Sequence, residues 1–476
     1  MTETAVEQKR LSTADVAHKA SVHRDTLLRW LRKGHVPEPK RDRHGWRVFT
    51  PEEADAVAAF AAEEEAPYRS QSGVERLDNG PEVARLKGID WDFADASTSY
   101  LTHSIHPYPA KFIPQIPNAL IQELSSVGET VADIFCGSGT TLVEALLLKR
   151  QAVGIDANPL ACLISEAKTT RLEAPDGEQL LALAARSAEM GRSLSSMGKS
   201  SLFGQPAFAS SGWRPDDKAL SFWFDDFIAE ELAEIRSWCD GLPGEPARKV
   251  ALAAFSSIVV AVSRQDSDTR YVRRDKHLQR GDAFSRFTRA LEDAARASME
   301  LGKLLEPRFG CTILCENVLK RPSVDKLQLV VCSPPYPNAY SYHLYHMTRM
   351  LWLGMDQPTF KKVEIGSHRK YSRKGPNGAT EETFRSEMGL IFDWLRDALD
   401  EGRFACFVVG NSRIKGRTVD NANLLASAAS EHGFSEVARI PRRMQDSKKS
   451  FNPAIGKIKT EQILILRNTN RKGAHA

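Results

Sequence analysis

The sequence predicts an α/β fold in which a mostly parallel sheet carries a ligand site at the carboxyl ends of its strands. Two stretches support this prediction. Residues 131–145 read as a strand, a turn that contains two glycines, and a helix. Residues 327–331 form a short apolar run, and Pro334 and Pro335 follow where a strand cannot continue. Because open α/β sheets hold ligands beyond the carboxyl ends of their strands, we expect both turns to lie at one edge of the sheet.

The first 66 residues read as a separate small domain. Helical patterns over residues 11–20 and 25–33 are followed by a basic, turn-rich stretch, a short strand at residues 48–49 and a third helix that begins near Pro51. This segment is similar to winged helix-turn-helix domains of the MerR type, and the resemblance implies that it binds DNA. Arginines of the second helix and the wing would then reach DNA phosphates: Arg24, Arg29, Arg32, Arg43 and Arg47. The alternative is a small helical protein-interaction domain with a solvated basic face. The polar residues 67–100 that follow are interpreted as a linker.

The glycine turn lies in the first half of the α/β domain, residues 101–170. Gly137 and Gly139 permit positive φ and a close approach of backbone to ligand, whereas a dinucleotide fingerprint would need a third glycine where Leu142 stands. The next predicted strand ends in Asp156, about 20 residues later, where a carboxylate can bind two ribose hydroxyls.

The turn and Asp156 together resemble the cofactor half of class I methyltransferases, which have a Rossmann-like sheet and use S-adenosyl-L-methionine. Asp133 would meet the ammonium group of this cofactor, directly or through water. Asn317, or Glu316 as the alternative, would touch the adenine amine. The full set of residues that the resemblance implies for cofactor binding is Lys111, Phe112, Asp133, Phe135, Cys136, Gly137, Ser138, Gly139, Thr140, Asp156, Asn158 and Asn317.

The second half of the α/β domain, residues 308–470, contains the run Ser333-Pro334-Pro335-Tyr336. It resembles the catalytic motif of DNA amino-methyltransferases, which methylate cytosine N4 or adenine N6. The serine hydroxyl and the first proline carbonyl can accept the hydrogens of an exocyclic amine, while the tyrosine stacks on the base. The base must be flipped out of the duplex, and no metal is needed. Serine at the first position favours cytosine N4, and adenine N6 stays open.

A helical segment, residues 171–307, interrupts the predicted sheet and is a candidate for target recognition. Within it, residues 263–274 interleave basic, hydroxyl and aromatic side chains, with Arg264 and Arg270 as candidate DNA contacts. A solvated connection between two helices is the alternative. The last two predicted strands, residues 404–410 and 462–466, would form an antiparallel hairpin that closes the sheet.

Two further segments leave alternatives open. The polar, basic residues 355–385 read as a mobile DNA-facing loop or as a plain surface loop. His343 and His346 invite a metal interpretation, but aromatic packing with ordinary histidine hydrogen bonds is favoured.

The bulk composition is that of a globular protein with reduced thiols. The seven cysteines include no CxxC pair, so a metal site is not expected. The sequence has no signal peptide and no apolar run that could cross a membrane, which predicts a cytoplasmic location. The net charge of +4 favours a polyanionic partner only weakly.

The predicted partner is double-stranded DNA, and a cognate restriction endonuclease could accompany the enzyme. An RNA base-amine methyltransferase and a DNA-binding regulator without catalysis are the alternative functions.

Overall fold

A computed structural model describes most of the chain. The described residues are 11–20, 27, 30–31, 36–40, 47–65, 80–94, 96–200, 208–215, 218–338, 340–373, 378–443 and 460–470. The chain divides into two compact units, residues 1–75 and 76–476.

The first unit is small and partly helical. Strand β1 (Leu11–Ser12) pairs antiparallel with β2 (Val48–Phe49), and helices α1 (Thr13–Lys19) and α2 (Pro51–Glu65) accompany them. Thr50 begins α2 as predicted, since its hydroxyl accepts a hydrogen bond from Glu53 N at 3.2 Å. The predicted second helix falls mostly outside the described residues. The buried core residues are Val16, Ala20, Leu27, Trp30, Leu31, Val36, Phe49, Ala54, Val57 and Ala61.

The second unit combines a central sheet with many helices. Its strands are β3 (Thr130–Asp133), β4 (Gln151–Ile155), β5 (Gln265–Ser267), β6 (Arg270–Arg273), β7 (Cys311–Leu314), β8 (Leu327–Cys332), β9 (Leu399–Gly410), β10 (Ser412–Ile414), β11 (Arg417–Val419), β12 (Phe434–Arg443) and β13 (Thr460–Asn468). Its helices are α3 (Gly80–Lys87), α4 (Gln115–Leu124), α5 (Thr140–Leu147), α6 (Pro159–Thr169), α7 (Ala174–Ser200), α8 (Lys218–Trp223), α9 (Asp226–Asp240), α10 (Glu245–Val259), α11 (Asp282–Leu304), α12 (Tyr342–Tyr345), α13 (Met347–Leu353), α14 (Gln357–Val363), α15 (His368–Tyr371), α16 (Glu381–Ala398) and α17 (Asn421–Glu431). Short 3-10 turns span Leu101–Ser104 and Val318–Lys320.

The central sheet has the strand order β12-β13-β9-β8-β3-β4-β7. Strands β7, β4, β3, β8 and β9 are parallel, and β13 runs antiparallel to both β9 and β12. Central strands such as β8 are apolar and buried along nearly their whole length, as expected of a parallel sheet covered on both faces. This arrangement fits the predicted α/β class I methyltransferase fold.

The chain order places a topological switch point between β3 and β8. From β3 the chain proceeds outward to β4 and β7, and it then returns to β8 on the other side of β3. Such a reversal leaves a crevice at the carboxyl ends of the two strands. The glycine turn follows β3 and the proline turn follows β8, so both border this crevice.

The prediction of an antiparallel hairpin that closes the sheet was incomplete. Strands β9 and β13 do pair antiparallel, but β12 was missed, and β13 pairs along its whole length with β12 as well. The polar and charged residues of β12, together with Pro441, hide its strand character from a pattern search. Proline is tolerated here because β12 is the edge strand and needs hydrogen bonds on one side only.

Two predicted loops also differ from the structure. Part of the predicted linker belongs to the second unit, because Leu86, Ile89 and Trp91 are buried in the core against the sheet. Residues 357–363 and 368–371, predicted as loop, form the short helices α14 and α15.

The chain segment between β4 and β7 is mostly helical, and we call it the helical layer. Helices α7 to α11 enclose an apolar core of their own, which includes Phe255, Phe284 and Phe287. Strands β5 and β6 form an antiparallel hairpin in this layer, where the sequence had predicted a loop.

None of the helices in the described residues is long and apolar enough to cross a membrane.

Candidate active site

A cleft opens at the carboxyl ends of β3, β4 and β8. Its empty volume is about 1400 Å³ including the part open to solvent. The residues that line it are Tyr108, Ala110, Lys111, Phe112, Ile134, Phe135, Cys136, Gly137, Ser138, Thr140, Asp156, Ala157, Asn158, Glu316, Asn317, Val318, Ser333, Pro334, Pro335, Tyr336, Tyr340, Tyr342, Phe360, Val363, Glu364, Ile365 and Glu461. The glycine turn and the proline turn therefore face one space.

The two glycines of the first turn have different roles. Gly137 has φ +51° and lines the cleft, and a side chain on it would meet the ring of Tyr108 at 3.3 Å. Gly139 has φ +76° and lies behind the cleft, where a side chain would meet Ser165 at 2.9 Å. Both positions combine a left-handed backbone with close neighbours, and only glycine meets both conditions.

Asp156 ties the end of β4 to the glycine turn. One carboxylate oxygen accepts a hydrogen bond from Gly137 N at 2.9 Å, and the other accepts one from Asn158 N at 2.8 Å. Burial raises the pKa of Asp156 to about 6, and the nearby carboxylate of Glu364 contributes to this rise. The carboxylate faces the cleft at the position predicted for ribose binding.

Asp133 does not belong to the lining of the cleft. Its side chain is 1 % exposed, and one carboxylate oxygen accepts a hydrogen bond from Phe135 N at 3.1 Å. The hydroxyl of Thr141 also lies within hydrogen-bonding reach, and burial raises the pKa of Asp133 to about 7. In this structure Asp133 therefore holds the glycine turn, and its predicted contact with a cofactor stays a prediction.

The proline turn is fixed from two sides. The Tyr336 hydroxyl lies 3.3 Å from both the Val408 carbonyl oxygen and Glu461 Oε1. On the other side, Gly366 packs against the backbone of the turn, and a side chain there would approach the Tyr336 carbonyl oxygen to 2.9 Å. The ring of Tyr336 thus has a set orientation at the wall of the cleft. Cys332, directly before the turn, is fully buried in strand packing.

The charged residues of the cleft are mostly acidic. Asp156, Glu316, Glu364 and Glu461 line it with Lys111 as the single cation among the described lining residues. Such a cleft favours a positively charged ligand.

Two of these carboxylates, Glu364 and Glu461, were missed by the sequence analysis. Glu364 accepts hydrogen bonds from Tyr342 N and His343 Nδ1, each at 2.5 Å. Glu461 accepts one from Arg442 Nη1 at 2.5 Å. Neither position carries a local signal, because Glu364 enters the cleft through the placement of the end of α14 and Glu461 through the pairing of β13 with β9.

An aromatic wall was also missed. Tyr108 and Tyr342 stack with ring centroids 5.9 Å apart and planes at 22°, and Tyr340 lies 5.5 Å from Tyr342. All three rings line the cleft.

Most predicted cofactor residues meet in this cleft. Those that line it are Lys111, Phe112, Phe135, Cys136, Gly137, Ser138, Thr140, Asp156, Asn158 and Asn317, with the alternative Glu316 beside them. Asp133 and Gly139 lie behind it. All four residues of the predicted catalytic motif line it as well.

The arginines predicted to contact DNA lie in different environments. Arg264 is held by an ion pair with Asp225 and by the Ser221 carbonyl. The side chain of Arg270 is half exposed and lies 3.2 Å from Asp266. Arg47 pairs with Glu38 at 2.8 Å. The remaining four lie outside the described residues: Arg24, Arg29, Arg32 and Arg43.

His343 and His346 are engaged in separate hydrogen bonds. His343 Nδ1 contacts Glu364, and His346 Nδ1 lies 3.0 Å from Asn158 Nδ2. Within the described residues, no group of three or more His, Cys, Asp or Glu side chains could hold a metal ion.

Comparison with known proteins identifies the kind of protein this chain resembles. A family model described as DNA methylase, for the N6/N4 type, matches residues 27–167, which include the glycine turn and Asp156. The chain is similar to DNA methylases of the N6/N4 type. It is 31% identical over 174 residues to the type II methyltransferase M.MvaI of Kocuria varians, which covers 36% of each chain. It is 38% identical over 90 residues to the type II methyltransferase M.MjaII of Methanocaldococcus jannaschii, which covers 18% of this chain and 17% of the relative.

These matches span about a third of the relatives' length or less. Among solved structures, the rRNA methyltransferase aviRa of Streptomyces viridochromogenes aligns with 77% of this chain and 90% of its own. Its TM-score is 0.30 at 13% identity, too low to support an argument about the fold.

Proposed function

We propose that this chain is an S-adenosyl-L-methionine-dependent DNA methyltransferase that modifies the exocyclic amine of a flipped base, with cytosine N4 as the favoured target. One observation carries the proposal: the glycine turn after β3 and the Ser-Pro-Pro-Tyr turn after β8 line the same cleft at the topological switch point. A methyl donor bound at the first turn and an amine bound at the second would therefore be neighbours.

The residues of the cofactor side fit this methyl donor. Gly137 provides a backbone cradle that a side chain would fill, and Asp156 directs a carboxylate into the cleft. The cofactor would supply a methyl group activated by a positively charged sulfur, and the acidic lining suits that charge. Loss of the methyl group removes the positive charge from sulfur, so the same lining would favour the donor over its product.

The residues of the target side fit an amine. Ser333 Oγ and the Pro334 carbonyl can accept the two amine hydrogens and so leave the nitrogen lone pair directed at the methyl group. The same two oxygens would stabilise the positive charge that develops on nitrogen during transfer. Alignment of two bound reactants supplies most of the remaining rate enhancement.

Tyr336 would provide the stacking surface for the flipped base. Its hydroxyl is held between Val408 and Glu461, so the ring is already oriented before a base arrives. A fixed ring loses little conformational entropy on binding.

Adenine N6 is the second candidate target, since both amines fit the same pair of oxygens. The serine at position 333 is the feature that favours cytosine. An RNA base amine and a regulatory role without catalysis are weaker alternatives. The names of the relatives, type II methyltransferases, support DNA as the substrate. A cognate restriction endonuclease and a cytoplasmic location stay predictions.

A methyl-transfer assay tests this proposal. The chain would be incubated with tritiated S-adenosyl-L-methionine and either mixed-sequence duplex DNA or tRNA. We expect label in the DNA and, after digestion to nucleosides, in N4-methylcytosine. Label in N6-methyladenine would change the target base, label in tRNA alone would favour the RNA alternative, and no label in any acceptor would contradict the enzymatic function.

A further inference from the structure

The hairpin of β5 and β6 presents an unusual mixture of exposed side chains. We define the hairpin surface as Phe222, Arg270, Val272, Arg273 and Arg274. Phe222 is 49% exposed and Val272 is 53% exposed, although both are large apolar residues. Their exposure beside several arginines indicates a surface that contacts another molecule.

The alternation of β6 directs Arg270 and Val272 outward, whereas Arg273 at the end of the strand lies on the Tyr271 side and is exposed against Phe222. Tyr271, in the middle of the strand, turns inward, where its hydroxyl contacts Met347 Sδ at 3.1 Å and its ring packs against Trp223 at 4.9 Å. Because neighbouring side chains of a strand point to opposite faces, Arg270 and Val272 must face solvent. The anchored tyrosine thus fixes which face is presented.

The charge of this surface is positive. The carboxylate of Asp266 forms ion pairs with two arginines, at 3.2 Å from Arg270 and 3.4 Å from Arg274. The guanidinium of Arg273 lies 5.1 Å from the centre of the Phe222 ring, in a cation–π contact. The acid Asp268 is engaged elsewhere, by the buried Arg349.

The hairpin surface lies beside the mouth of the cleft. Gln265 of β5 donates a hydrogen bond to the Tyr345 carbonyl at 3.2 Å, and the ring of Tyr345 contacts that of Tyr340, which lines the cleft.

The helix that carries Arg369 is tied to the segment that follows the proline turn. In this helix, α15, the His368 N donates to the Tyr340 carbonyl at 2.8 Å. Just before it, the Gly366 carbonyl accepts a hydrogen bond from Asn338 N at 3.0 Å, directly after the proline turn.

We infer that the hairpin surface holds the DNA duplex that flanks the flipped base, with Arg270 and Arg274 on phosphates and Phe222 and Val272 against sugars or base edges. This inference rests on the proposed function and adds the segment that contacts the substrate. Duplex DNA suits the surface because its phosphates match the excess of arginines, while exposed apolar groups can pack in a groove.

The inference also changes which residues are expected to contact DNA. Arg264, which the sequence suggested, is held by Asp225 and Ser221, so it supports the hairpin. Arg274, which lies 3.4 Å from Asp266 and is largely exposed, replaces it beside Arg270.

Binding of the full-length chain to a short mixed-sequence duplex, measured by fluorescence anisotropy over a range of salt concentrations, tests the inference. Each phosphate contact contributes about 0.9 to the slope of log affinity against log salt. The double variant Arg270→Ala/Arg274→Ala should therefore bind more weakly and lower the magnitude of this slope by about two. Phe222→Ala should weaken binding several-fold without changing the slope.

Arg296→Ala provides the matched control, because Arg296 is an exposed arginine of α11 with its own acidic neighbour, Glu292. It should leave affinity and slope unchanged. Unchanged affinity and slope in the double variant would overturn the inference, and so would an equal effect of Arg296→Ala.

The methyl-transfer assay keeps the two proposals distinct. If the wild-type chain methylated DNA while the double variant bound the duplex normally, the function would stand and the hairpin surface would be wrong. If the variants lost duplex binding as expected but no methyl group were ever transferred to DNA, the surface would stand and the proposed reaction would be wrong.

Discussion

Under the proposed function, single residues distinguish a cofactor side of the cleft from a target side. Asp156 at the end of β4 is linked to the backbone of the glycine turn, whereas Ser333 follows β8 beside Tyr336. Both side chains reach the same cleft but from different strands. Substitutions at the two positions should therefore separate binding of the methyl donor from its reaction.

Ser333→Ala should reduce the rate of methyl transfer by roughly a hundredfold, because it removes an oxygen that stabilises charge only during reaction. Binding of S-adenosyl-L-methionine should stay unchanged in this variant. Asp156→Ala should instead weaken the binding of S-adenosyl-L-methionine. Calorimetric titration of the cofactor, together with single-turnover methyl transfer, checks both expectations, and a Ser333→Ala variant with wild-type turnover would contradict the assigned role.

The buried carboxyl group of Asp133 leads to a prediction about how folding stability depends on pH. Burial raises its pKa from 3.8 to about 7 in the folded chain, so the folded state holds the proton more tightly than the unfolded state does. Its contribution to folding stability is therefore most favourable below the unfolded pKa and is lost as the pH rises through the interval from about 4 to 7.

Asp133→Asn removes this titration but keeps a side-chain oxygen for the hydrogen bond from Phe135 N. The stability of the variant relative to the wild type should thus increase between pH 5 and pH 8. Chemical unfolding at the two pH values measures this difference. A difference that is independent of pH would show that Asp133 is ionised in the folded state throughout.

At the scale of elements, the turn between β3 and α5 depends on the packing of α6. Gly139 begins α5 with φ +76°, and Ser165 of α6 occupies the space that a side chain would need. The turn and the helix that supports it therefore form one unit. Gly402, within β9, offers a matched comparison, because it has φ +80° but no atom lies within 4 Å of the place where a Cβ would stand.

Gly402→Ala should cost only the strain of a left-handed backbone, about 1–2 kcal/mol. Gly139→Ala should destabilise the chain by clearly more than this, because the contact with Ser165 is added to the same strain. Urea unfolding of the two variants measures the difference. Equal destabilisation would mean that α6 moves aside without cost.

At the scale of the whole molecule, the N-terminal unit and the catalytic unit are compact bodies joined in one chain. The proposed roles are DNA binding for the first unit, from its resemblance to winged helix-turn-helix domains, and methyl transfer for the second. The functions of the two units should therefore be separable.

Deletion of residues 1–66 should lower the affinity for duplex DNA and leave the turnover rate at saturating DNA unchanged. Affinity would be measured by anisotropy and turnover by tritium transfer. If the truncated chain kept both the affinity and the site choice of the full chain, the proposed role of the N-terminal unit would be wrong.

Elements whose signal is local were predictable from the sequence. The glycine turn, the strand that ends in Asp156, the prolines after β8 and the start of α2 all depend on residues that are neighbours in the chain. Glycine and proline restrict the backbone directly, so their effect does not depend on distant packing. For the same reason the α/β class and most of the lining of the cofactor side were foreseen.

Elements that depend on distant partners were not predictable. The edge strand β12 exists because β13 supplies its hydrogen bonds, and the hairpin of β5 and β6 is fixed by Tyr271 against the helical layer. Glu461 enters the cleft from the start of β13, more than a hundred residues after Tyr336, whose hydroxyl it contacts. Their sequences carry no periodic or turn signal strong enough to reveal this.

The sequence by itself determined which chemistry to expect, since the glycine turn, Asp156 and the Ser-Pro-Pro-Tyr motif are local patterns with narrow physical uses. Only the tertiary structure decided that these patterns share one cleft, that Asp133 stands behind it, and that Glu364, Glu461 and three tyrosines complete its walls. The reason is physical: strand order and helix packing bring together residues that are far apart in the chain, and the free energy that fixes them is spread over the whole core.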